Sequence, residues 1–317
     1  MSHPGFLPSS GFLNPLIQNV IRWCGPASLA LIAVSLIGFS ASSPSFASTE
    51  QRLSLAYDVF YGGIKASFLE VDIEHSTLTY RLRSRAIAKG PFGWLTGFVS
   101  QAESEGAVNQ KQIRLRQHKA RSEWFGELRS VLLRPNGDGA LHVKVDPLPQ
   151  DDNRDPVEPS STVGTLDPLT ASFKAAREID RTRGCAQKLP IFDGRRRYDL
   201  IFRDGVETSI ESESYRGPAL RCRMDVVRIA GFSHKPFFRP PAKPPEAFVW
   251  LAQVRKDAPF IPVRITIDSP LAYTRIRLMQ VIEGNNLSPL DTTEKVNDGV
   301  DTRTVEQNVV GPRKRDQ

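Results

Sequence analysis

The chain has 317 residues, 40% of them apolar and 24% charged, with a formal net charge of +7. Asp and Glu are interleaved with Lys and Arg almost throughout, which excludes the concentrated basic stripe of a nucleic-acid binder. A positive excess of this size leaves only a weak attraction to anionic surfaces, such as head groups or phosphate-rich envelope polymers.

Residues 29–39, LALIAVSLIGF, form an uncharged apolar run preceded by Arg22 and followed by small residues. Ser45, Phe46 and Ala47 make a small-x-small signal, so cleavage is expected between Ala47 and Ser48. The run has 11 residues, short for a bilayer span. An uncleaved anchor is the alternative, because the n-region is long. Cys24 precedes the run, where it cannot serve as a lipid-modified cysteine. Residues 1–47 are thus read as a signal peptide, 48–284 as one exported, mostly β domain, and 285–317 as a disordered polar tail.

Strand patterns begin at once. Leu53, Leu55, Tyr57 and Val59 alternate with polar or small residues, and Gly62 and Gly63 supply a turn. Leu69, Val71 and Ile73 then alternate with Glu70, Asp72 and Glu74, and Leu78, Tyr80 and Leu82 with Thr79, Arg81 and Arg83. This predicts an antiparallel meander in which an acidic strand face lies beside an arginine face.

Residues 90–99, GPFGWLTGFV, break the alternation. They are read either as a loop tucked into the core or as an apolar lip in which Phe92, Trp94, Leu95 and Phe98 border a ligand mouth. Alternation resumes over 100–145, with a turn at 136–139 and a solvated basic face at Arg114, Arg116, Lys119, Arg121 and Arg129. Residues 147–165, rich in Pro, Asp and Ser, read as a long mobile loop. One helix is expected at about 168–181. Asp167 suits its N-cap, Pro168 its first position, and Leu169, Phe173, Ala176 and Ile179 share a face. Strands return from Lys188 to Val281, interrupted by a Pro-rich stretch at 236–245.

The residues show no catalytic motif. The five histidines, His3, His75, His118, His142 and His234, make no metal-ligand spacing, and there is no nucleophile elbow or phosphate-binding loop. Arg195, Arg196 and Arg197 follow Asp193 and Gly194 at what reads as a hairpin tip. Of the three cysteines, Cys185 and Cys222 remain after the leader. An even pair in an oxidising compartment predicts a disulfide, with two buried thiols as the alternative. Cys185 follows the helix, and strand alternation puts Cys222 with Leu220, Met224 and Val226 on the face toward it.

Several segments together resemble the bacterial domain-of-unknown-function family 3108 in its exported form. They are YDVFYGGIKASFLEV at 57–71, Leu166 to Leu169, Gly184 with Cys185, LPIFDGRRRYDL at 189–200, Tyr215 to Cys222, VWLAQ at 249–253 and PVRITI at 262–267. The resemblance implies a periplasmic location, no known enzyme activity and paired cysteines at Cys185 and Cys222. It also implies a fold similar to lipoprotein carriers, a long curved antiparallel sheet or half-barrel wrapped around one helix. The expected function is a non-catalytic envelope protein holding a lipid or lipidated partner on the concave side, with no cofactor, metal or nucleic acid. Its rivals are a structural module that binds cell-wall polymer or protein through the charged outer face, and an unrecognised hydrolase. A carrier should have an apolar cavity beneath Phe92 and Trp94, whereas a hydrolase should bring His and carboxylates together in a cleft.

Overall fold

The structure, a computed structural model, describes residues 51–109, 112–212, 214–234, 245–255, 258–268 and 273–284. The expected leader, the cleavage point at Ala47 and Ser48, most of the Pro-rich stretch and the tail lie outside these residues.

Seven strands come first: β1 (Gln51–Tyr61), β2 (Ile64–His75), β3 (Thr79–Ala88), β4 (Val99–Val108), β5 (Ile113–Trp124), β6 (Glu127–Pro135) and β7 (Leu141–Asp146). Helix α1 (Gly90–Thr96) interrupts them, and helix α2 (Pro168–Thr182) follows. Then come β8 (Gln187–Phe192), β9 (Arg197–Glu211), β10 (Arg216–Ala230), β11 (Glu246–Ala252), β12 (Ile261–Asp268) and β13 (Tyr273–Glu283). The described residues form one antiparallel sheet in the order β7-β6-β5-β4-β3-β2-β1-β13-β12-β11-β10-β9-β8. Two meanders are therefore joined by the β1–β13 pair, and β7 and β8 are the edges.

The first hairpins follow the alternation except at Leu78, which sits in the turn before β3 and is 67% exposed. Leu53, Leu55 and Tyr57 are buried on the concave face with Tyr80 and Leu82. On the convex face Glu74 lies opposite Arg81 and Glu70 opposite Arg85, while Arg83 reaches Glu74 at 3.2 Å. Gly106 in β4 makes room for the Tyr80 ring, since a Cβ there would stand 2.7 Å from the phenol oxygen.

The sheet curls without closing. Phe192 at the end of β8 packs with Leu115, Leu133 and Leu141 of β5, β6 and β7. The seam between the edges is covered by residues 147–167, of which 147–165, expected to be a mobile loop, are tied to both sides. Leu141 N donates to Thr162 Oγ1 at 2.9 Å, and Arg195 donates to the carbonyls of Asp146 (2.6 Å) and Pro147 (2.8 Å). Arg197 reaches the Ser161 carbonyl at 3.1 Å, and Leu166 bridges Ile191 in parallel. An uncovered edge strand exposes a row of unpaired backbone groups, and this segment caps both edges. Its Pro- and Ser-rich composition reports irregular backbone, not loose attachment. The arginine run, read as a hairpin tip, thus also clamps the seam.

Helix α2 lies in the concavity. Ala171, Ala175 and Ile179 pack against Leu189, Phe202, Leu220, Cys222, Val249 and Leu251, while Phe173 packs against Tyr80, Leu82 and Val108. The stripe expected at Leu169, Phe173, Ala176 and Ile179 is therefore incomplete. A helix gripped from two sides buries Thr170, Ala171 and Ala175 as well, and Ala176 is only half-buried.

The segment at 90–99 is a short helix, not a loop tucked into the core. Pro91 suits its first turn, and Gly97, in the left-handed region at φ 58°, ends it. Trp94 is 89% exposed and Leu95 62%. Among the described residues there are therefore two α-helices where one was expected, and one of them lies outside the concavity.

Candidate ligand-binding site

A single α-helix is about 10 Å across and does not fill so wide a curl. Between α2 and the β13–β1–β2 side a cavity of about 1120 Å³ remains, open at one end of the sheet. Its apolar wall comes from Leu53 at the start of β1, Ile73 near the end of β2, Ile113 of β5, Phe173 and Ala176 of α2, and Phe260 and Ile261 before and in β12. Strand ends and the outer turns of α2 supply its charged rim, which includes Arg52, Lys174, Arg177, Glu178, Arg181, Arg255 and Glu283. Glu178 pairs with Arg181, and Arg255 with Glu283. Lys174 and Arg177 form no ion pair among the described residues, and the Arg177 guanidinium lies 5.6 Å from the Phe173 ring centre. His75 stacks at a tilt on Phe173, 5.6 Å between ring centres. Burial, and after it the charge of Arg177, lowers the His75 pKa below its ordinary value, despite a backbone hydrogen bond at Ser76.

A buried polar network holds α2 in place. Asp167 Oδ1 accepts from the backbone N–H groups of Leu169 (3.0 Å) and Thr170 (3.1 Å), capping the helix. The same oxygen accepts from Ser104 Oγ of β4 at 2.6 Å and lies 3.2 Å from His118 Nδ1 of β5. Ser104 has one hydroxyl proton, which goes to Asp167, so its 2.8 Å contact with His118 Nδ1 has the imidazole donating. In the sequence Asp167 reads as a cap and His118 as a lone histidine, and nothing there joins the two. A serine, a histidine and an aspartate meet here, but not as a nucleophile with its base. Ser104 and Asp167 share one ring nitrogen instead of opposite ones, and all three residues are 3% exposed or less.

The four residues read as a ligand mouth stand elsewhere. Strand β1 runs from Gln51, which lines the cavity, to Tyr61, whose ring meets Phe92 edge-on at 5.9 Å. Eleven residues of strand separate the two ends by about 30 Å. None of Phe92, Trp94, Leu95 and Phe98 lines the cavity. Exposed Trp94 and Leu95 and half-buried Phe92 and Phe98 form an apolar end with Trp124, which meets Phe98 at 5.3 Å, and Phe125. Replacing Trp94 with Ala is expected to move the melting temperature by no more than about 2 °C. Trp94 fluorescence should also stay unchanged when the cavity fills. A drop of about 5 °C or more would mean that the indole is packed, contrary to its exposure. Cys185 and Cys222 are joined by a disulfide with Cα atoms 5.6 Å apart. Among the described residues no three His, Cys, Asp or Glu side chains gather as metal ligands.

These features define a class, an open antiparallel half-barrel with a helix in its concavity and a cavity beside the helix. The chain belongs to the family of proteins of unknown function DUF3108, whose pattern matches residues 56–277. No curated protein matches the chain. Among solved structures it is similar to a β-barrel-like protein of the domain of unknown function DUF1849 from Brucella abortus. The TM-score is 0.45 at 10% identity, over 74% of this chain and 98% of the other.

Proposed function

We propose that this protein is a non-catalytic periplasmic protein of the cell envelope that holds an apolar or amphipathic ligand, a lipid or the lipid of a lipidated partner, beside α2. The cavity carries this reading. Its size is of the order of known ligand pockets, roughly 300–1,000 Å³, and it joins an apolar wall to a charged rim as an amphiphile requires. The apolar run before Ala47 and the Cys185–Cys222 disulfide both suit export to an oxidising compartment. The geometry at Ser104 and His118 gives no support to a hydrolase.

Native mass spectrometry of protein taken from its own periplasm should show a bound mass that denaturation releases. Ala176→Trp, which pushes an indole into the cavity from a half-buried position, is expected to weaken binding of a fluorescent fatty acid at least tenfold. Unchanged affinity in that variant would place the ligand elsewhere. The exposed end around Trp94, Leu95, Phe125 and Leu128 favours a second reading, an interaction module that meets another envelope component through this end. In that case the purified protein carries no ligand and the Trp94→Ala variant loses the partner.

A further inference from the structure

The convex face of β12 and β13 carries arginines where neighbouring strands ordinarily alternate charge. Arg264 and Arg277 stand directly opposite each other in the register. Arg275 follows on the same face of β13, two residues from Arg277. Directly opposed side chains in such a pair have Cβ atoms about 5 Å apart, and like charges there are destabilising. None of the three arginines forms an ion pair among the described residues. Asp58 lies across from Arg277 on the β1 side, but Lys65 holds its carboxylate at 2.7 Å.

Each guanidinium rests on an aromatic ring instead. Arg264 lies 5.8 Å from the Trp250 ring centre, Arg275 5.1 Å from Tyr273 and Arg277 4.4 Å from Phe60. The rings hold the groups in place without cancelling their charge. The Nε atoms of Arg264 and Arg277 are buried with no hydrogen-bond partner among the described residues. A terminal nitrogen of Arg264 donates to the Glu211 carbonyl at 3.0 Å, so the tip of the β9–β10 hairpin walls the group on one side. Burial, then the charge of Arg275 and, to a smaller degree, of Arg277, lowers the Arg264 pKa below its ordinary value, against an opposing effect of Tyr273.

We infer that Arg264, Arg275 and Arg277 form an anion-binding site on the convex face, and that its ligand carries phosphate groups. Planar guanidinium forks match phosphate oxygens, and a multiply charged phosphate can meet several at once, whereas a single carboxylate satisfies one. The site lies on the opposite side of the sheet from α2 and does not depend on the cavity. If the arginines served only to cover the aromatic rings, the site would need no anion.

The test is the melting temperature of the mature protein in chloride, inorganic phosphate and pyrophosphate at one ionic strength. Pyrophosphate near saturation is expected to raise it by about 3 °C or more over chloride. Arg277→Gln should melt higher than the native protein in chloride, because the repulsion is relieved, and should lose most of the pyrophosphate response. Arg275→Gln, at an exposed position, should lose the response as well. Sedimentation with vesicles containing phosphatidylglycerol, against phosphatidylcholine alone, identifies the source. Retention that Arg277→Gln abolishes assigns the phosphate to lipid head groups, and a pyrophosphate response without retention assigns it to a soluble ligand. An Arg277→Gln protein that melts lower in chloride yet keeps the pyrophosphate response overturns the inference. So does a native protein that responds to neither pyrophosphate nor vesicles.

Discussion

Replacing Cys185 and Cys222 together with alanine is expected to lower the melting temperature by about 10 °C. The bond ties the residues after the C-terminus of α2 to the middle of β10 across a sequence separation of 37. Both cysteines are buried, at 2% and 0% exposure, in the cluster that also holds Ala171, Ala175 and Ile179 of the helix. In the chain-entropy account a loop of this length is worth about 4 kcal/mol, and a domain's whole stability is of the order of 5–15 kcal/mol. Neither cysteine lines the cavity, so ligand binding at low temperature should survive the double substitution. Thermal melts of the native and double-alanine proteins decide the matter. A shift below about 3 °C would show that packing around α2, not the cross-link, holds the helix to β10.

Asp167→Ala should cost about 3–5 kcal/mol, enough to threaten folding at body temperature. The substitution removes the cap of α2 and leaves Ser104 and His118 buried without their shared acceptor. Asp167→Asn keeps an oxygen for the helix N–H groups while losing the charge, and should cost less. The pH dependence follows from the carboxyl's environment. Burial alone would raise its pKa. The hydrogen bond and charge of His118, with hydrogen bonds from Ser104 and Thr170, outweigh burial and hold the pKa below the usual carboxylate value. A group with a depressed folded pKa contributes its full stability above the unfolded value, about pH 4, and loses it as pH falls toward the folded value. The native protein should therefore lose stability steeply below about pH 4, and Asp167→Asn should show a flatter curve there. Equal slopes, measured by urea unfolding across that range, would falsify the assignment of a charged Asp167.

The strands of the first meander were legible because one face is buried and side chains alternate with period two. Leu53, Leu55 and Tyr57 point inward as their spacing requires, and Glu74 finds Arg81. The helix was legible through Asp167 and Pro168, a local signal that owes nothing to the rest of the fold. Helix α1 was not, because three glycines and a proline in so short a segment mask its caps, and its tryptophan is exposed where apolar character argued for burial. The seam segment was legible only as irregular backbone. The clamp from Arg195 and Arg197 depends on edges that meet after the sheet has curled.

The candidate sites were the least legible part. The cavity exists because one helix underfills a curl of thirteen strands, and neither the curl nor the helix's position in it leaves a mark on any short stretch of residues. The exposed lip, read from composition, lies at the far end of β1 from the cavity. Ser104, His118 and Asp167 come from two strands and a cap, separated by 14 and 63 residues along the chain from Ser104. The arginine pair at Arg264 and Arg277 becomes visible only in the register of β12 with β13.

From the residues alone came the inward face of the early strands, the start of α2, the face of Cys222 and the family resemblance. All of these rest on spacings within a dozen or so residues or on local motifs. Tertiary structure decided that β1 pairs with β13, that residues 147–167 cover both edges, that α2 is gripped from two sides, and which charges face each other. The reason is physical. Alternation specifies the face a side chain takes, while its neighbour depends on register and closure. Those are set by the burial of whole segments against one another, not by any segment taken singly.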